Sequence, residues 1–115
     1  MTKSILVIDD DTMILDAIKI IFGDMGYTVE TTSDPAQGME RAITQDFDLI
    51  LTDVRMPALN GAEVTEAVLG KKPEARILVI TAYPNDPLAQ QAIKAGAVGL
   101  VKKPFEIAKI LHYLS

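Results

Sequence analysis

The stretch LILTDVRMP (Leu49–Pro57) places a carboxylate, Asp53, just after a short apolar run. A continuously apolar run of this kind is typical of a parallel strand that is buried on both faces of its sheet. Taken alone, Asp53 is best explained as a turn residue or a helix cap, because Asp commonly has those roles in loops. The neighbouring segments determine whether this carboxylate also has a chemical function.

The composition predicts a single domain without cysteine chemistry. A length of 115 residues is near the commonest domain size, so we expect residues 1–115 to form one domain. The chain has no cysteine, which excludes disulfides, thiolate zinc sites and a thiol nucleophile. Its one histidine, His112, cannot form a histidine metal site by itself and is expected on a face of the last helix, far from the strand ends.

The charge and hydropathy of the chain predict a cytoplasmic protein. A net charge of −5 argues against direct nucleic-acid binding by this domain, which would need clustered Lys and Arg. The same charge disfavours docking on anionic membranes. No apolar run approaches the roughly 18 residues of a membrane span. The N-terminal segment MTKSILVIDDD reaches acidic residues too early for a signal peptide.

Short apolar runs alternate with helical patterns along the chain. Strands are predicted at Ser4–Asp9, Tyr27–Thr32, Phe47–Thr52, Ala75–Thr81 and Val98–Lys102. Helices are predicted from Asp11 or Thr12 to about Gly26, from Asp34-Pro35 to about Gln45, from Gly61 to Leu69 with Gly70 as the stop, from Asp86-Pro87 to Gly96, and from Glu106 to Leu114. In the first helix, four apolar residues recur at helical spacing and are predicted to share one face: Ile14, Ile18, Ile21 and Met25.

This order of elements predicts an α/β fold. Five βα units in succession imply a parallel sheet with right-handed crossovers and helices on both faces. Tyr27–Thr32 alternates between apolar and polar residues, so we place it at an edge of the sheet. Gly38 lies inside the second helix, where glycine costs about 1 kcal/mol relative to alanine. Close packing is the expected reason for that glycine.

Polar side chains gather where the predicted strands end, which is where open α/β sheets bind ligands. They are Asp9, Asp10 and Asp11 after the first strand, Asp53 after the third, Thr81 at the end of the fourth, and Lys102, Lys103 and Pro104 after the fifth. Each one alone is explained by a cap, a turn or a solvated side chain. Together they predict acids, a hydroxyl and a lysine on one rim of the sheet.

This combination of groups suits a metal ion and a phosphoryl group. Two carboxylates about 5 Å apart repel each other by ~3 kcal/mol at an effective dielectric constant of about 20. A hard cation such as Mg²⁺ (or Mn²⁺) relieves that repulsion, and it binds one or two protein carboxylates together with waters and phosphate oxygens. An Asp can itself attack phosphorus and form an aspartyl phosphate.

Four blocks of the sequence resemble the receiver domain of two-component response regulators, including the chemotaxis regulators. The blocks are VIDDD, LILTDVRMPALNG, LVITA and GAVGLVKKPF, and the resemblance covers essentially the whole chain. It implies a doubly wound, flavodoxin-like (βα)5 fold whose five-stranded parallel sheet has the strand order 2-1-3-4-5.

The resemblance also implies roles for the acids. Asp53 would be the phosphoacceptor. Asp10 would bind Mg²⁺ directly, and Asp9 would act largely through water. The main-chain carbonyl of Arg55 would complete the protein ligands, and Asp11 would be the helix cap.

The remaining roles concern the phosphoryl group. By resemblance, the Thr81 hydroxyl and the Ala82 backbone N–H would contact its oxygens. Lys103, rather than Lys102, would be the family lysine, because it directly precedes Pro104. The family's Lys-Pro bond is usually cis, which predicts the same for Lys103-Pro104.

One position departs from the family pattern. Receiver domains often carry Tyr or Phe three residues before the lysine, and here that residue is Leu100. The aromatic rotation that is usually coupled to Thr81 cannot occur, so we expect a small response centred on the loop that follows Thr81. Tyr83 in that loop is either a plain loop aromatic or a residue that controls access to the phosphoryl group.

The predicted function is a signalling switch rather than an enzyme, because the domain would catalyse only its own phosphorylation and dephosphorylation. Its partners would be a sensor histidine kinase or a histidine phosphotransfer protein, and an unknown downstream effector. We expect a monomer or weak dimer. The alternative is a Mg²⁺-dependent phosphohydrolase that works through an aspartyl phosphate. The chain is either a stand-alone regulator or the receiver of a longer protein.

The resemblance places kinase docking beside the acceptor. The surface would consist of the edge of the first helix and the loop before the last. Its predicted residues are Met13, Ile14, Ala17, Pro104 and Phe105, and the alternative for Ile14 is a place in the core. An apolar edge next to a polar pocket suits the docking of a partner helix.

Overall fold

The protein was examined as a computed structural model, which describes residues 2–104 and 106–114. Within these ranges five strands alternate with five helices. The strands are β1 (Ser4–Ile8), β2 (Thr28–Thr32), β3 (Leu49–Asp53), β4 (Ile77–Thr81) and β5 (Gly99–Lys102). The helices are α1 (Thr12–Asp24), α2 (Pro35–Thr44), α3 (Gly61–Lys71), α4 (Pro87–Ala95) and α5 (Ile107–Leu114). Their limits lie within two residues of the predicted ones.

The strands form one parallel sheet in the order β2-β1-β3-β4-β5, so the predicted fold class and strand order are confirmed. Every residue of β3 and β4 is buried, as their apolar sequences require. β2 lies at an edge and is only partly buried, which confirms the placement that its alternating sequence indicated.

Two hydrophobic clusters lie on opposite faces of the sheet, because alternate strand residues point in opposite directions. One cluster contains Leu6 and Ile8 with apolar residues of α2, α3 and α4. The other contains Ile5 and Val7 with apolar residues of α1 and α5. Helices therefore cover both faces of the sheet. The polar residues that follow the carboxyl ends of its strands are left uncovered by these two clusters.

Helix caps follow the sequence closely. Asp11 caps α1 by accepting the Met13 N–H at 3.0 Å. Asp34 caps α2 and Asp86 caps α4, and each is followed by proline at the first helical position. Asn60 caps α3 in a capping box with Glu63.

The predicted apolar face of α1 is confirmed for Ile18 and for the partly buried Ile14 but is wrong for Ile21 and Met25. The helix buries Leu15, Ile18 and Phe22, whereas Ile21 is 36% and Met25 49% exposed. Apolar residues cover more than half of this helix, so helical spacing fits two neighbouring faces. Packing in the cluster that contains Ile5 and Val7 of β1 selects the face with the larger Phe22.

The predicted end of α3 is also wrong, because Gly70 lies inside the helix rather than after it. The last turn continues until the Lys72 N–H bonds to Val68 O at 2.7 Å. Pro73 follows, and a proline disfavours helical geometry at the residue before it. The proline, and not the glycine, therefore ends α3.

Gly38 confirms the close packing that its place in a helix suggested. A Cβ atom at this position would lie 2.6 Å from Ile8 Cγ1. Ile8 is the last residue of β1, so α2 approaches the sheet directly beside the acidic rim. Among the helices described, none has the length and apolar character needed to cross a membrane.

Candidate functional site

The strand order brings the predicted residues together at one edge of the sheet. Asp53 ends β3, which lies between β1 and β4. Asp9 directly follows β1, Thr81 ends β4, and Lys103 directly follows β5. The Lys103 N–H donates to Thr81 O at 2.8 Å, which fixes the end of β5 against the end of β4.

A lysine bridges the two buried acids. Lys103 Nζ lies 3.1 Å from Asp9 Oδ2 and 3.4 Å from Asp53 Oδ2. Asp9 is fully buried and Asp53 is 7% exposed. The geometry therefore agrees with the assignment of Lys103 rather than Lys102 to the site. The Lys103-Pro104 peptide bond is cis, as predicted.

The remaining carboxylate oxygens accept backbone hydrogen bonds. Asp9 Oδ1 accepts the Asp11 N–H at 2.9 Å, and Asp53 Oδ1 accepts the Val54 N–H at 2.8 Å. Asp9 Oδ2 is buried and accepts no hydrogen bond from residues 2–104 or 106–114, although the Lys103 ammonium lies nearby. A buried anionic oxygen of this kind favours a bound cation.

The electrostatics of the site reflect two acids that share one ammonium group. Burial raises the pKa of Asp53 to about 6, the charge of Asp9 adds to this rise, and Lys103 opposes it. Burial is also the main cause of the raised pKa of Asp9. Burial opposes the charged form of Lys103, but the two carboxylates outweigh this effect and raise its pKa. The site therefore has more negative charge than the lysine neutralises.

Three acids at this rim are close enough to hold one metal ion. Asp9, Asp10 and Asp53 each offer a carboxylate oxygen, and these oxygens lie within 4.8 Å of one another. Asp10 is exposed, whereas the other two are buried. Hard oxygen donors, and an Asp9 oxygen that accepts no hydrogen bond from the described residues, fit a divalent cation such as Mg²⁺.

Thr81 is buried beside the acids, but its hydroxyl is bonded to the following loop. Its Oγ1 accepts the Tyr83 N–H at 3.0 Å and donates to Tyr83 O at 3.2 Å. Ala82 is exposed and lines an open groove next to the site, while the Tyr83 side chain is 71% exposed. The one proton of the Thr81 hydroxyl is therefore already donated to Tyr83 O.

Sequence reasoning missed an ion pair next to the site. Arg55 Nε lies 2.6 Å from Asp86 Oδ2, and Arg55 Nη2 lies 2.8 Å from Asp86 Oδ1. The hydrogen bond from Arg55 is the main cause of the lowered pKa of Asp86, and the same bond raises the pKa of Arg55. The sequence assigned Asp86 only to a cap. The signal was two opposite charges in loops that follow neighbouring strands.

The groove beside the site has a volume of about 570 Å³ and is mainly apolar. It is lined by Asp11, Met13, Ile14, Ala17, Ala82, Lys103 and Pro104. Met13 is 80% exposed at its rim. The predicted docking residues Met13, Ile14, Ala17 and Pro104 therefore line one groove, and Phe105 lies outside the described residues.

Comparison with known proteins agrees with this geometry. The family model of the response regulator receiver domain matches residues 5–115. The acid tolerance regulatory protein ActR of Rhizobium meliloti is 33% identical over 112 residues, which cover 97% of this chain and 58% of ActR. The chain thus spans little more than half the length of this relative.

Solved structures share the fold over nearly the whole chain. The chemotaxis protein CheY4 of Vibrio cholerae is 29% identical, has a TM-score of 0.89, and is covered completely, as is this chain. A response regulator protein from Burkholderia pseudomallei, solved with a phosphorylated aspartic acid and a calcium ion, is 29% identical with a TM-score of 0.87. That match covers 98% of this chain and 66% of the other. The strand order, the site and the family match together show that the chain belongs to the response regulator receiver domain family.

Proposed function

We propose that residues 1–115 form one receiver domain that acts as a phosphorylation-controlled switch, with Asp53 as the phosphoacceptor. The observation that carries this proposal is the position of Lys103 Nζ, 3.1 Å from Asp9 and 3.4 Å from Asp53 at the rim of the sheet. An ammonium group at this distance can pair with the Asp53 carboxylate before the reaction and with a phosphoryl oxygen once phosphate is attached. The phosphorylated aspartic acid in the Burkholderia relative supports the same chemistry.

The reaction follows from the nucleophilic character of a carboxylate. An Asp53 oxygen attacks the phosphorus of a phosphohistidine, the donor's P–N bond breaks, and an aspartyl phosphate forms as the imidazole leaves. Lys103 neutralises charge on the phosphoryl oxygens in the transition state. The Thr81 hydroxyl and the Ala82 N–H then donate hydrogen bonds to those oxygens.

A divalent cation, Mg²⁺ or Mn²⁺, would be held by Asp9, Asp10, Asp53 and the carbonyl oxygen of Arg55, and when bound it supplies positive charge to the transferring phosphoryl group. The proposal is supported by the three carboxylates, whose oxygens lie within 4.8 Å of one another. The raised pKa of Asp53, about 6, still leaves this carboxylate mainly ionised at neutral pH.

The first prediction is that Asp53 is the only phosphoacceptor. Wild-type protein incubated with acetyl phosphate and Mg²⁺ should gain one phosphoryl group by intact-mass measurement, and Asp53→Asn should gain none. Asp16→Asn, which removes an exposed acid of α1, is the matched control and should be labelled as the wild type is. Labelling of Asp53→Asn to the wild-type extent would show that the assignment is wrong.

The alternative is a phosphohydrolase that turns over external substrates through the same aspartyl phosphate. The two functions differ in turnover, because a receiver releases only its own phosphate. Wild-type protein incubated with p-nitrophenyl phosphate and Mg²⁺ should release p-nitrophenol no faster than Asp53→Asn does. Sustained release that Asp53→Asn abolishes would favour the phosphohydrolase.

The second prediction concerns the phosphoryl donor. We propose that a histidine kinase or phosphotransfer protein docks in the apolar groove beside the site, where Ala17 is half-buried. An Arg at this position would fill the groove and place a charge in an apolar contact. Ala17→Arg should therefore slow transfer from a purified histidine kinase that labels the wild type, while labelling by acetyl phosphate stays intact. Equal transfer rates for the two proteins would contradict docking in this groove.

A further inference from the structure

The Arg55–Asp86 pair connects two loops at the candidate site. Arg55 lies two residues after Asp53 on the loop between β3 and α3, which we call the acceptor loop. Asp86 lies at the start of α4. Two parallel hydrogen bonds of 2.6 and 2.8 Å join the guanidinium to the carboxylate. This two-pronged geometry fixes orientation as well as distance.

Asp86 also makes hydrogen bonds that fix the loop between β4 and α4. Its Oδ1 accepts the Leu88 N–H at 3.0 Å and so caps α4, while its own N–H donates to Tyr83 O at 3.0 Å. Tyr83 is in turn bonded to the Thr81 hydroxyl. A continuous set of contacts therefore runs from Thr81 to the first turn of α4, and Arg55 ties that set to the acceptor loop.

Capping alone does not explain this arrangement. Asn60 caps α3 without a charge, and asparagine is as good a cap as aspartate. The Asp86 side chain is only 3% exposed, so its negative charge needs a partner, whereas the Arg55 side chain is 64% exposed. The acid at this cap makes α4 dependent on a residue of the acceptor loop, which a neutral cap would not do.

We propose that the Arg55–Asp86 pair carries the state of Asp53 to the first turn of α4, with Asp86 acting as a positioning residue. The inference rests on the proposed function. Phosphorylation replaces the single charge of the Asp53 carboxylate with a phosphoryl group that carries up to about two negative charges and three strong acceptor oxygens. It competes with Asp86 for the guanidinium, so the tie between the acceptor loop and α4 loosens on phosphorylation.

The side chain at position 100 is consistent with such a route. Leu100 is half-buried in β5 and packs against the cluster beneath α4. An aliphatic side chain has no ring to rotate and no hydroxyl to exchange partners. The ion pair supplies a polar connection from the acceptor loop to α4 that does not pass through Leu100.

Amide NMR spectra test the proposal, with beryllium fluoride and Mg²⁺ as the phosphoryl mimic. In wild type, the mimic should shift the amides of Val54 and Tyr83 and those of Leu88 and Ala89 in α4. Asp86→Asn keeps a capping side chain but removes the charge. Without the mimic, its α4 amides should already be displaced toward their activated positions, and the mimic should move them by less than half the wild-type change.

Asp34→Asn is the matched control, because Asp34 is the corresponding cap of α2 and also precedes a proline. Its α4 response should equal that of the wild type. Arg55→Gln removes the other partner, should reproduce Asp86→Asn, and decides the question if Asp86→Asn does not fold. A full α4 response in these variants would overturn the inference and leave the proposed function standing. No wild-type response at Val54 or Tyr83 would overturn both.

Discussion

At the scale of single residues, Asp53 must be buried enough to be positioned and ionised enough to react. Burial and the Asp9 charge raise its pKa to about 6, and Lys103 limits that rise. The carboxylate is therefore mainly ionised at neutral pH, but the metal-free folded protein is destabilised by keeping it charged. This conflict can be measured without any phosphoryl donor.

The third prediction is a pH-dependent difference in stability between wild type and Asp53→Asn. Because the folded-state pKa of about 6 lies above the ordinary value of 3.8, the contribution of Asp53 to stability is complete below about pH 4 and is lost as the pH rises through 6. The free energy of unfolding of metal-free Asp53→Asn should thus rise relative to wild type, by at most about 3 kcal/mol. Urea titrations between pH 4 and 7, with a chelator present to remove metal ions, measure this difference in the free energy of unfolding. A constant difference across that range would contradict it.

At the scale of elements, α2 can lie close to the end of β1 because residue 38 is a glycine and has no side chain. A Cβ at Gly38 would lie 2.6 Å from Ile8 Cγ1, whereas a Cβ at Gly70 in α3 would have no neighbour within 4 Å. The two glycines therefore provide a matched pair in which helix propensity is the same and packing differs.

The fourth prediction uses this pair. Gly70→Ala should raise the free energy of unfolding by up to about 1 kcal/mol, because alanine is the better helix former. Gly38→Ala should lower it by about 1–3 kcal/mol, because the added methyl group displaces Ile8 or α2. Denaturant titrations of both variants measure these changes. Stabilisation by both substitutions would show that α2 can move away from Ile8 at little cost.

The elements also show which structural features could be predicted from sequence. Strands buried on both faces appear as apolar runs, and caps such as Asp34-Pro35 and Asp86-Pro87 are local signals. The core face of α1 could not be assigned, since apolar residues allow two faces and only packing against the sheet selects one. The Arg55–Asp86 pair could not be predicted either, because its residues are 31 apart in sequence and a helix cap was a sufficient explanation for Asp86.

At the scale of the whole molecule, the strand order gathers acids from two neighbouring strands at one rim. The positions of Asp9, Asp53 and Lys103 could be predicted because polar residues end strands whose parallel order follows from the βα alternation and the resemblance to receiver domains. The hydrogen bonds of the Thr81 hydroxyl to Tyr83 could not be predicted, because they depend on the loop conformation. Repulsion among Asp9, Asp10 and Asp53 is a property of the assembled rim alone.

The fifth prediction concerns this repulsion. At ten times its dissociation constant, Mg²⁺ should stabilise wild type by about 1.4 kcal/mol. Asp10→Ala should raise stability without metal, because it removes one of the clustered charges, and it should abolish the Mg²⁺ effect. Asp16→Ala, on the exposed face of α1, is the control and should keep the effect. Equal Mg²⁺ stabilisation of wild type and Asp10→Ala in urea titrations would argue against this metal site.

Asp53 is proposed to carry the phosphoryl group, and the attachment site of that group can be read directly. Borohydride reduces an aspartyl phosphate to homoserine and leaves free carboxylates unchanged. Protein labelled with acetyl phosphate and Mg²⁺, reduced, digested and sequenced by tandem mass spectrometry should contain homoserine at position 53. Homoserine at position 9 or 10, with Asp53 intact, would show that Asp53 is not the phosphoacceptor.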